Sequence, residues 1–374
     1  MPKSFKNFFF PNVSSKLWND YNWQLKNAVT TIEQLSQKIN LHDEEKKHIL
    51  KTEEKYPIVI SPYFLSLINP KNINDPIRKQ IVPDINEIEI MSNISDSDPL
   101  AEQQKMPVPG LIHRYPDRVV ILVSSNCAVN CRHCNRKRNW QKNEPEFNLK
   151  NCIDYLKKHS EIREVILSGG DPLLLSTKKL KNILDKIFSV DNIKVVRIGS
   201  RVPVTLPMRI TDDLCEMFGK FPSIWLNTQF NHPNEITEES ASACRKIQKA
   251  GIPINNQSVL LKGINDTPKT IKKLCHKLQE IKVRPYYLFQ CDRVSGTEHF
   301  WTSVKTGINI LENMIGHTGG LCIPKFVIDL PDGEGKIPLL PENIIEHKGS
   351  IYKIKTYQGK IVSYEDIDNS YFGV

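Results

Sequence analysis

The 374-residue sequence predicts an α/β fold, a partial (β/α)6 TIM-like barrel preceded by an N-terminal helical extension. Six apolar, β-branched runs typical of buried strands alternate with segments of helical periodicity, and this order predicts a parallel sheet covered by helices. Such a barrel carries its active site on the loops at the C-terminal ends of its strands. The predicted strands cover residues 119–123, 165–167, 195–198, 224–226, 254–261 and 286–289, and the predicted helices cover residues 148–159, 177–188, 211–219, 236–250 and 268–281.

The region before the barrel is predicted to be helical and then irregular. Apolar residues recur every three or four positions over residues 14–40, which predicts one amphipathic helix, and a charged second helix is expected over residues 43–56, before Pro57. Residues 61–107 are rich in Pro, Asn and Asp, which indicates a connecting segment that wraps around the body. The N-terminal segment, the barrel and a short C-terminal tail are therefore expected at residues 1–106, 107–345 and 346–374.

Composition narrows the class of protein. With 39% hydrophobic and 25% charged residues, the chain has an ordinary globular composition, so disorder is not expected. The net charge of +9 comes from lysines dispersed along helical stretches without a nucleic-acid-binding motif, so we expect no nucleic-acid partner. The sequence has no signal peptide, no run of eighteen apolar residues and nine scattered cysteines, which predicts a cytoplasmic protein without a membrane span.

Three cysteines form the most distinctive motif, just after the first predicted strand of the barrel. Cys127, Cys131 and Cys134 have the spacing CxxxCxxC and precede the basic run at 135–138. A structural zinc site usually takes four ligands in two pairs, and the sequence has no second pair. A cubane iron-sulfur cluster held by three cysteines has one iron without a protein ligand, where chemistry can occur. Buried structural thiols and an incomplete zinc site remain alternatives.

The other predicted strands are also followed by polar or glycine-containing sequences. The second strand ends in Ser-Gly-Gly-Asp at residues 168–171, where a glycine pair alone would indicate no more than a turn. Because parallel strands end at one edge of the sheet, these sequences should converge on one mouth of the barrel. The remaining polar segments lie at residues 199–201, 227–231, 256–258 and 291–292.

The motifs at 127–134 and 168–171 resemble those of the radical S-adenosylmethionine (SAM) enzymes. Nearly the whole chain also resembles the lysine 2,3-aminomutase family within that group. This resemblance implies a barrel of the radical SAM type, a [4Fe-4S] cluster on the three cysteines, SAM at the open iron, and pyridoxal 5'-phosphate as a further cofactor. The matching stretches lie at residues 18–20, 74–80, 107–118, 167–171, 197–201, 231–237, 256–266, 284–287 and 316–320.

The resemblance implies cofactor-binding roles for several residues. Lys336, in a glycine-containing loop, matches the lysine that binds pyridoxal phosphate covalently, and a flexible loop would let its amine release the cofactor to the substrate. Arg114, Tyr115 and Arg118 match the segment that binds the same cofactor, and arginines suit its phosphate. The residues expected to contact SAM are His133, Gln257, Ser168, Gly169, Gly170 and Asp171.

The substrate-binding residues implied by the resemblance carry opposite charges. Arg136 matches the arginine that binds the substrate carboxylate, while Asp292 and Asp329 match two aspartates that bind the distal ammonium group of lysine. This arrangement suits a zwitterion with a cationic side chain. Family members that use glutamate have Lys and Asn at the two aspartate positions.

The sequence departs from the family pattern at several positions. Gln229 and Phe289 replace a usual His and Tyr, and Asp332 and Glu334 replace glycines of the lysine loop, which reduces its expected flexibility. Thr267 stands where the family has a zinc-binding cysteine, and the zinc-binding tail of the longer relatives is missing as well. We therefore expect no structural zinc, and a homo-oligomer, a dimer or larger, that is held by fewer contacts.

The activity implied by the resemblance is that of an isomerase, an L-lysine 2,3-aminomutase that moves the α-amino group of lysine to carbon 3. A reductant such as flavodoxin or ferredoxin would serve the cluster. The alternatives are a family member that acts on arginine or glutamate or makes β-lysine for elongation factor P, and a radical SAM enzyme without pyridoxal phosphate. A structural or regulatory iron-sulfur protein is a third, but it would not need Lys336, Arg136 and the two aspartates.

Overall fold

Eight short helices precede the barrel in the computed structural model, which describes residues 4–141 and 147–367. The single helix predicted over residues 14–40 is wrong, because this stretch forms α2, α3 and α4. The side chains of Asp20 and Thr31, both in extended backbone, cap the N-termini of α3 and α4 and so start new helices. The helices are α1 (Lys6–Phe9), α2 (Ser15–Trp18), α3 (Tyr21–Lys26), α4 (Ile32–Ser36), α5 (Asp43–Glu53), α6 (Pro62–Leu65), α7 (Arg78–Ile81) and α8 (Asn86–Glu89).

The barrel confirms the predicted α/β class and the predicted alternation of strands and helices. Its strands are β1 (Leu111–Tyr115), β2 (Arg118–Ser124), β3 (Glu164–Gly169), β4 (Val195–Gly199), β5 (Ile224–Thr228), β6 (Ile254–Leu260), β7 (Arg284–Gln290), β8 (Lys325–Leu330) and β9 (Gly335–Pro338). Its helices are α9 (Leu149–Lys158), α10 (Thr177–Phe188), α11 (Val202–Thr205), α12 (Asp212–Phe218), α13 (Glu238–Lys249), α14 (Pro268–Glu280) and α15 (Val304–Glu312).

The strands form one nine-stranded sheet in sequential order, and the C-terminal ends of its parallel strands lie side by side. Strands β2 to β8 are parallel, whereas β1 and β9 pair antiparallel at the two margins. The prediction did not include β1, β8 or β9. Only the central residues of β8 are apolar and buried, so its sequence gives a weak strand signal.

The core lies between the sheet and the helices around it. On α10, the buried residues Leu180, Ile183, Leu184 and Ile187 recur at helical spacing, so one face packs on the sheet while lysines cover the other. The apolar faces of the helices and of the strands therefore pack against each other. The polar residues at the strand ends are not part of this core and are available to form the site.

A second sheet of three antiparallel strands follows the barrel, formed by β10 (Ile344–Lys348), β11 (Ile351–Lys355) and β12 (Ile361–Glu365). The boundary predicted at residue 345 thus falls inside β10. Several apolar side chains of this sheet are exposed, among them Ile344, Ile351 and Tyr364. Within residues 4–141 and 147–367, none of the helices combines the length and the apolar character that crossing a membrane would require.

Candidate active site

A cavity of about 950 Å³ runs through the barrel from the first residues of several parallel strands, such as Arg118 and Arg284, to the loops at their C-terminal ends. Its size is at the upper end of the range typical of ligand sites. Every residue that the sequence predicted for the site lines this cavity. These residues are Cys127, Cys131, Cys134, Arg114, Tyr115, Arg118, His133, Ser168, Gly169, Gly170, Asp171, Gln257, Lys336, Arg136, Asp292 and Asp329.

The three motif cysteines lie on the loop that follows β2, and all are free thiols. Burial, with repulsion from neighbouring groups, raises the pKa of Cys127 well above its usual value and that of Cys134 to about 11. These two thiols are therefore protonated at neutral pH, and a bound metal would displace their protons. In the part of the chain that the structure describes, no three His, Cys, Asp or Glu side chains are gathered closely enough for a single metal ion.

A buried ionic network anchors the cysteine loop to the N-terminal helices. Arg132, within the loop, donates from Nη2 to the carboxylate of Glu87 at 2.6 Å and to the carbonyl of Tyr56 at 3.1 Å. Lys137 pairs with the same carboxylate. Burial opposes ionisation of Glu87, but its two cationic partners hold its pKa below the usual value.

Arg201, just after β4, contacts one of the motif cysteines. Its Nη1 donates to Sγ of Cys131 at 2.7 Å, and its Nη2 donates to Gln80 at 2.7 Å and to Glu235 at 3.2 Å. Its Nε donates to the carbonyl of Gln229 at 3.0 Å. The resemblance assigned Arg201 no role, and spacing could not reveal these contacts because the partners are distant in sequence.

The glycine pair after β3 is required by close packing. A Cβ on Gly169 would overlap the carbonyl oxygen of Ser124, and one on Gly170 would overlap that of Asn126. Gly169 also has a φ of +123°, which side chains rarely adopt. The loop after β3 therefore lies directly against the start of the cysteine loop.

Asp171 positions the loop after β4. Its carboxylate accepts from Oγ of Ser200 at 2.6 Å, from the backbone N–H of Arg201 at 2.8 Å and from that of Val202 at 3.1 Å. Burial raises its pKa to about 6. The resemblance implied a contact with SAM, but here both carboxylate oxygens have protein partners.

His133 lines the cavity and has one hydrogen-bonded ring nitrogen. Its Nε2 lies 3.1 Å from the amide nitrogen of Gln229 and 3.2 Å from that of Asn231, and burial lowers its pKa well below the usual value. Because both neighbours are donors, Nε2 accepts and the proton of the neutral ring lies on Nδ1. Nδ1 is buried and has no hydrogen-bond partner within the described residues.

Lys336 lies on β9 and not in the glycine-containing loop that was expected around it. The backbone of Lys336 pairs with that of Asp329 in the β8–β9 hairpin. Asp332, with a φ of +55°, and Gly333, with a φ of +74°, form the turn of the hairpin. Pairing of β9 fixes the backbone here, so any movement of the amine comes from the long side chain.

The amine of Lys336 lies in a partly apolar, mixed-charge environment. Its Nζ is 3.5 Å from Oδ2 of Asp329 and 4.4 Å from the ring centre of Phe289. Burial is the main cause of a lowered pKa, with a further contribution from Arg114 and an opposing one from Asp329. A lowered pKa favours the neutral, nucleophilic form of a lysine.

Two carboxylates face this amine. Asp329 accepts from Nη2 of Arg114 at 2.6 Å, so it is shared between two cations. Burial, followed by repulsion from Asp329, raises the pKa of Asp292 to about 7. This part of the cavity therefore contains a carboxyl group whose charge is incompletely balanced.

Arg136, which also lines the cavity, is held by a residue that sequence reasoning missed. Glu102 accepts from Nε of Arg136 at 2.9 Å and from Nη2 at 2.6 Å, while Nη1 donates to Oγ of Ser168 at 3.1 Å. Glu102 also pairs with Arg138 at 2.8 Å. The strand pattern gives no signal for Glu102, because it lies in the irregular segment before β1.

The cavity has donor groups that suit the implied cofactors. The guanidinium of Arg118 lies 3.8 Å from the ring centre of Tyr115 and forms an ion pair with Asp117. Nε of Arg114, like Nδ1 of His133, is buried without a hydrogen-bond partner in residues 4–141 and 147–367. Free N–H groups, three thiols and a lysine of lowered pKa fit an anionic cofactor, an iron-sulfur cluster and a carbonyl compound.

Comparison with known proteins gives consistent matches. Residues 121–275 match the model of the Radical SAM superfamily, and residues 311–373 match that of Lysine-2,3-aminomutase. The chain is 44% identical over 364 residues to L-lysine 2,3-aminomutase of Fusobacterium nucleatum, covering 96% of this chain and 85% of the relative. It is 45% identical over 373 residues to the enzyme of the same name from Acetoanaerobium sticklandii, covering 99% and 90%. It is also 40% identical over 358 residues to Glutamate 2,3-aminomutase of Clostridioides difficile, covering 95% and 84%.

Proposed function

Because this chain belongs to the lysine 2,3-aminomutase family of radical SAM enzymes, we propose that it is an isomerase that converts L-lysine to β-lysine by moving the α-amino group to carbon 3. Enzymes of this family use a [4Fe-4S] cluster, SAM and pyridoxal phosphate. When bound, the cluster and SAM supply the radical that removes a hydrogen, and pyridoxal phosphate supplies a π-system that stabilises the radical. The observation that carries the choice of lysine is the pair of aspartates beside Lys336.

The two aspartates support a cationic substrate. Asp292 is buried next to Asp329, and this repulsion contributes to its raised pKa. A substrate ammonium group placed between them would relieve the repulsion and favour ionisation of Asp292. A substrate carboxylate at the same place would add a third negative charge, so glutamate is disfavoured although a glutamate-specific relative is similar.

The surroundings of Arg136 support recognition of the α-carboxylate. Arg136 is oriented by Glu102 through Nε and Nη2, so that Nη1 faces Ser168 in the cavity wall. A fixed planar guanidinium binds a carboxylate with good geometry. Lysine, with an anionic group at one end and a cation at the other, would therefore match both ends of the site.

The same observations rank the alternatives. Arginine also carries a distal cation and is the second candidate, because its guanidinium could contact both aspartates. A radical SAM enzyme without pyridoxal phosphate would not require Lys336 to have a lowered pKa beside Arg114 and Tyr115. A structural iron-sulfur protein would not require a charged cavity of this size.

The proposal extends to the partners of the enzyme. A one-electron reductant such as flavodoxin or ferredoxin would supply the cluster. All nine cysteines are free, which is consistent with a reducing, cytoplasmic environment. We also infer a homo-oligomer without structural zinc; at the position of the family's zinc cysteine, Thr267 caps the N-terminus of α14.

The test is an anaerobic competition assay of the reconstituted enzyme with lysine, arginine, glutamate and norleucine. We expect β-lysine as the main product and rejection of norleucine, because a site built for an ammonium group has unpaired polar groups when a neutral analogue binds. Asp329→Asn should lower turnover of lysine, whereas Asp332→Asn, an exposed position in the same hairpin, should not. Preference for glutamate, or equal activity of the two variants, would contradict the proposal.

A further inference from the structure

We propose that Arg201 is a positioning residue that sets the reduction potential of the iron-sulfur cluster by donating a charged hydrogen bond to the Cys131 sulfur. The inference rests on the assignment of the cluster to the three cysteines and adds a residue outside that motif. The observation behind it is the contact of 2.7 Å between Nη1 of Arg201 and Sγ of Cys131.

Hydrogen bonds hold both the backbone and the side chain of Arg201. Its backbone N–H donates to Asp171 at 2.8 Å, and its Nε and Nη2 donate to the carbonyl of Gln229 and to Gln80. The residue is 8% exposed. Hydrogen bonds hold the backbone N–H, Nε and Nη2 of Arg201. These contacts fix the plane of the guanidinium and so direct Nη1 toward the sulfur.

A role for Arg201 in neutralising the charge of Glu235 does not explain why Nη1 points to Cys131. The carboxylate of Glu235 already accepts from Nε2 of Gln80 at 2.7 Å and from the backbone N–H of Asn231 at 2.7 Å. Arg201 reaches it only through Nη2, at 3.2 Å, while Nη1 points to Cys131. The guanidinium of Arg201 therefore connects the buried carboxylate of Glu235 to the sulfur of Cys131. The negative charge of Glu235 reduces the effect of the guanidinium charge on that sulfur.

The electrostatic consequence has a definite sign. When an oxidised [4Fe-4S]2+ cluster accepts one electron from dithionite to become [4Fe-4S]+, negative charge increases on the cluster and its sulfur ligands. A cation that donates an N–H to one of those sulfurs stabilises the reduced state and raises the potential. A carboxylate behind that cation opposes the effect, so Arg201 and Glu235 should act in opposite directions.

The experiment is an EPR-monitored redox titration of the reconstituted protein at pH 8 with dithionite, without SAM or substrate. Arg201→Gln should lower the equilibrium constant for reduction about tenfold, which corresponds to about 59 mV for a one-electron couple, and Arg201→Lys should lower it less. Glu235→Gln should shift it in the opposite direction. Arg209→Gln is the matched control, because Arg209 is also a buried arginine but donates to the carbonyl of Leu175 and not to a cysteine.

The outcomes separate this inference from the proposed function. A shift for Arg201→Gln that equals that of Arg209→Gln, or a shift of the same sign for Glu235→Gln, would overturn the inference while the aminomutase proposal stands. Absence of iron and sulfide from the wild-type protein after reconstitution would overturn both. If Arg201→Gln does not fold, the opposite signs expected for Arg201→Lys and Glu235→Gln still decide.

Discussion

The two ends of the cavity are bordered by buried charges that are balanced differently. At the cysteine end, formed by the motif cysteines with Arg132, Lys137 and Arg201, the cations are paired with Glu87 and Glu235. At the lysine end, formed by Lys336, Asp292 and Asp329, burial shifts the pKa of Lys336 down and that of Asp292 up, toward their neutral forms.

The difference indicates which parts are complete before ligands bind. The pKa of Glu87 is lowered because its two cationic partners outweigh its burial, and this pairing holds the cysteine loop in place, although burial lowers the pKa of Lys137 to about 8 and raises that of Glu235. At the lysine end, burial disfavours the charged forms of Lys336 and Asp292. A bound cationic substrate would favour the ionised form of Asp292 at the lysine end, whereas Glu87 at the cysteine end is paired before ligands bind.

The largest effect is expected from removing a ligand at the cysteine end. Changing Cys127, Cys131 or Cys134 to Ala should abolish the brown absorbance of the cluster or leave a cluster that cleaves SAM more than about a hundredfold more slowly. Cys244→Ala is the control, because Cys244 is a buried core residue on α13 away from the cavity. Stoichiometric zinc in place of iron after anaerobic reconstitution would contradict the assignment.

At the lysine end, Lys336→Ala should prevent covalent attachment of pyridoxal phosphate and lower turnover about a thousandfold or more. Borohydride reduction followed by peptide mapping should label Lys336 in the wild-type protein. Lys348→Ala, an exposed lysine of β10, is the control. Labelling of Lys325, which also lines the cavity, would show that the assignment is wrong.

These two ends also differ in how far the sequence could predict them. Short-range patterns predicted the six strand-helix units and their polar ends, because hydrophobic periodicity is local. Glu87, Glu102 and Glu235 gave no such signal, since each acts through a partner more than thirty residues away. The roles of the cofactor-binding residues remain predictions based on resemblance.

Removing a buried acid at the cysteine end should cost stability. Glu87→Gln should lower the free energy of unfolding by about 3 to 5 kcal/mol, because Arg132 and Lys137 would be left buried without a counter-charge. Glu89→Gln on the same helix should cost at most about 1 kcal/mol, because Glu89 forms only an exposed pair with Lys51. Urea denaturation of the apoprotein measures the free energy of unfolding of both variants. Equal decreases for Glu87→Gln and Glu89→Gln would contradict the difference expected between a buried and an exposed acid.

Removing an acid at the lysine end should cost activity instead. Asp292→Asn should lower turnover of lysine by roughly two to three powers of ten, since an unpaired buried charge costs about 3 to 5 kcal/mol. Burial raises the pKa of Asp292 from 3.8 to about 7, and only the ionised form attracts an ammonium group. The kcat/KM of the wild-type enzyme for lysine should therefore rise with pH through about 7, and this rise should be absent in Asp292→Asn.

The stability of the same variant completes the contrast between the ends. Between pH 4 and 7 the unfolded chain loses the Asp292 proton while the folded protein retains it, so wild-type stability falls as pH rises through this window. Glu87 has the opposite sign: its contribution is lost as pH falls through its lowered pKa. Asp292→Asn should thus be as stable as wild type below about pH 4 and more stable than wild type at pH 8. A loss of stability comparable to that of Glu87→Gln would mean that Asp292 belongs to a completed network and not to a site that a cationic substrate completes.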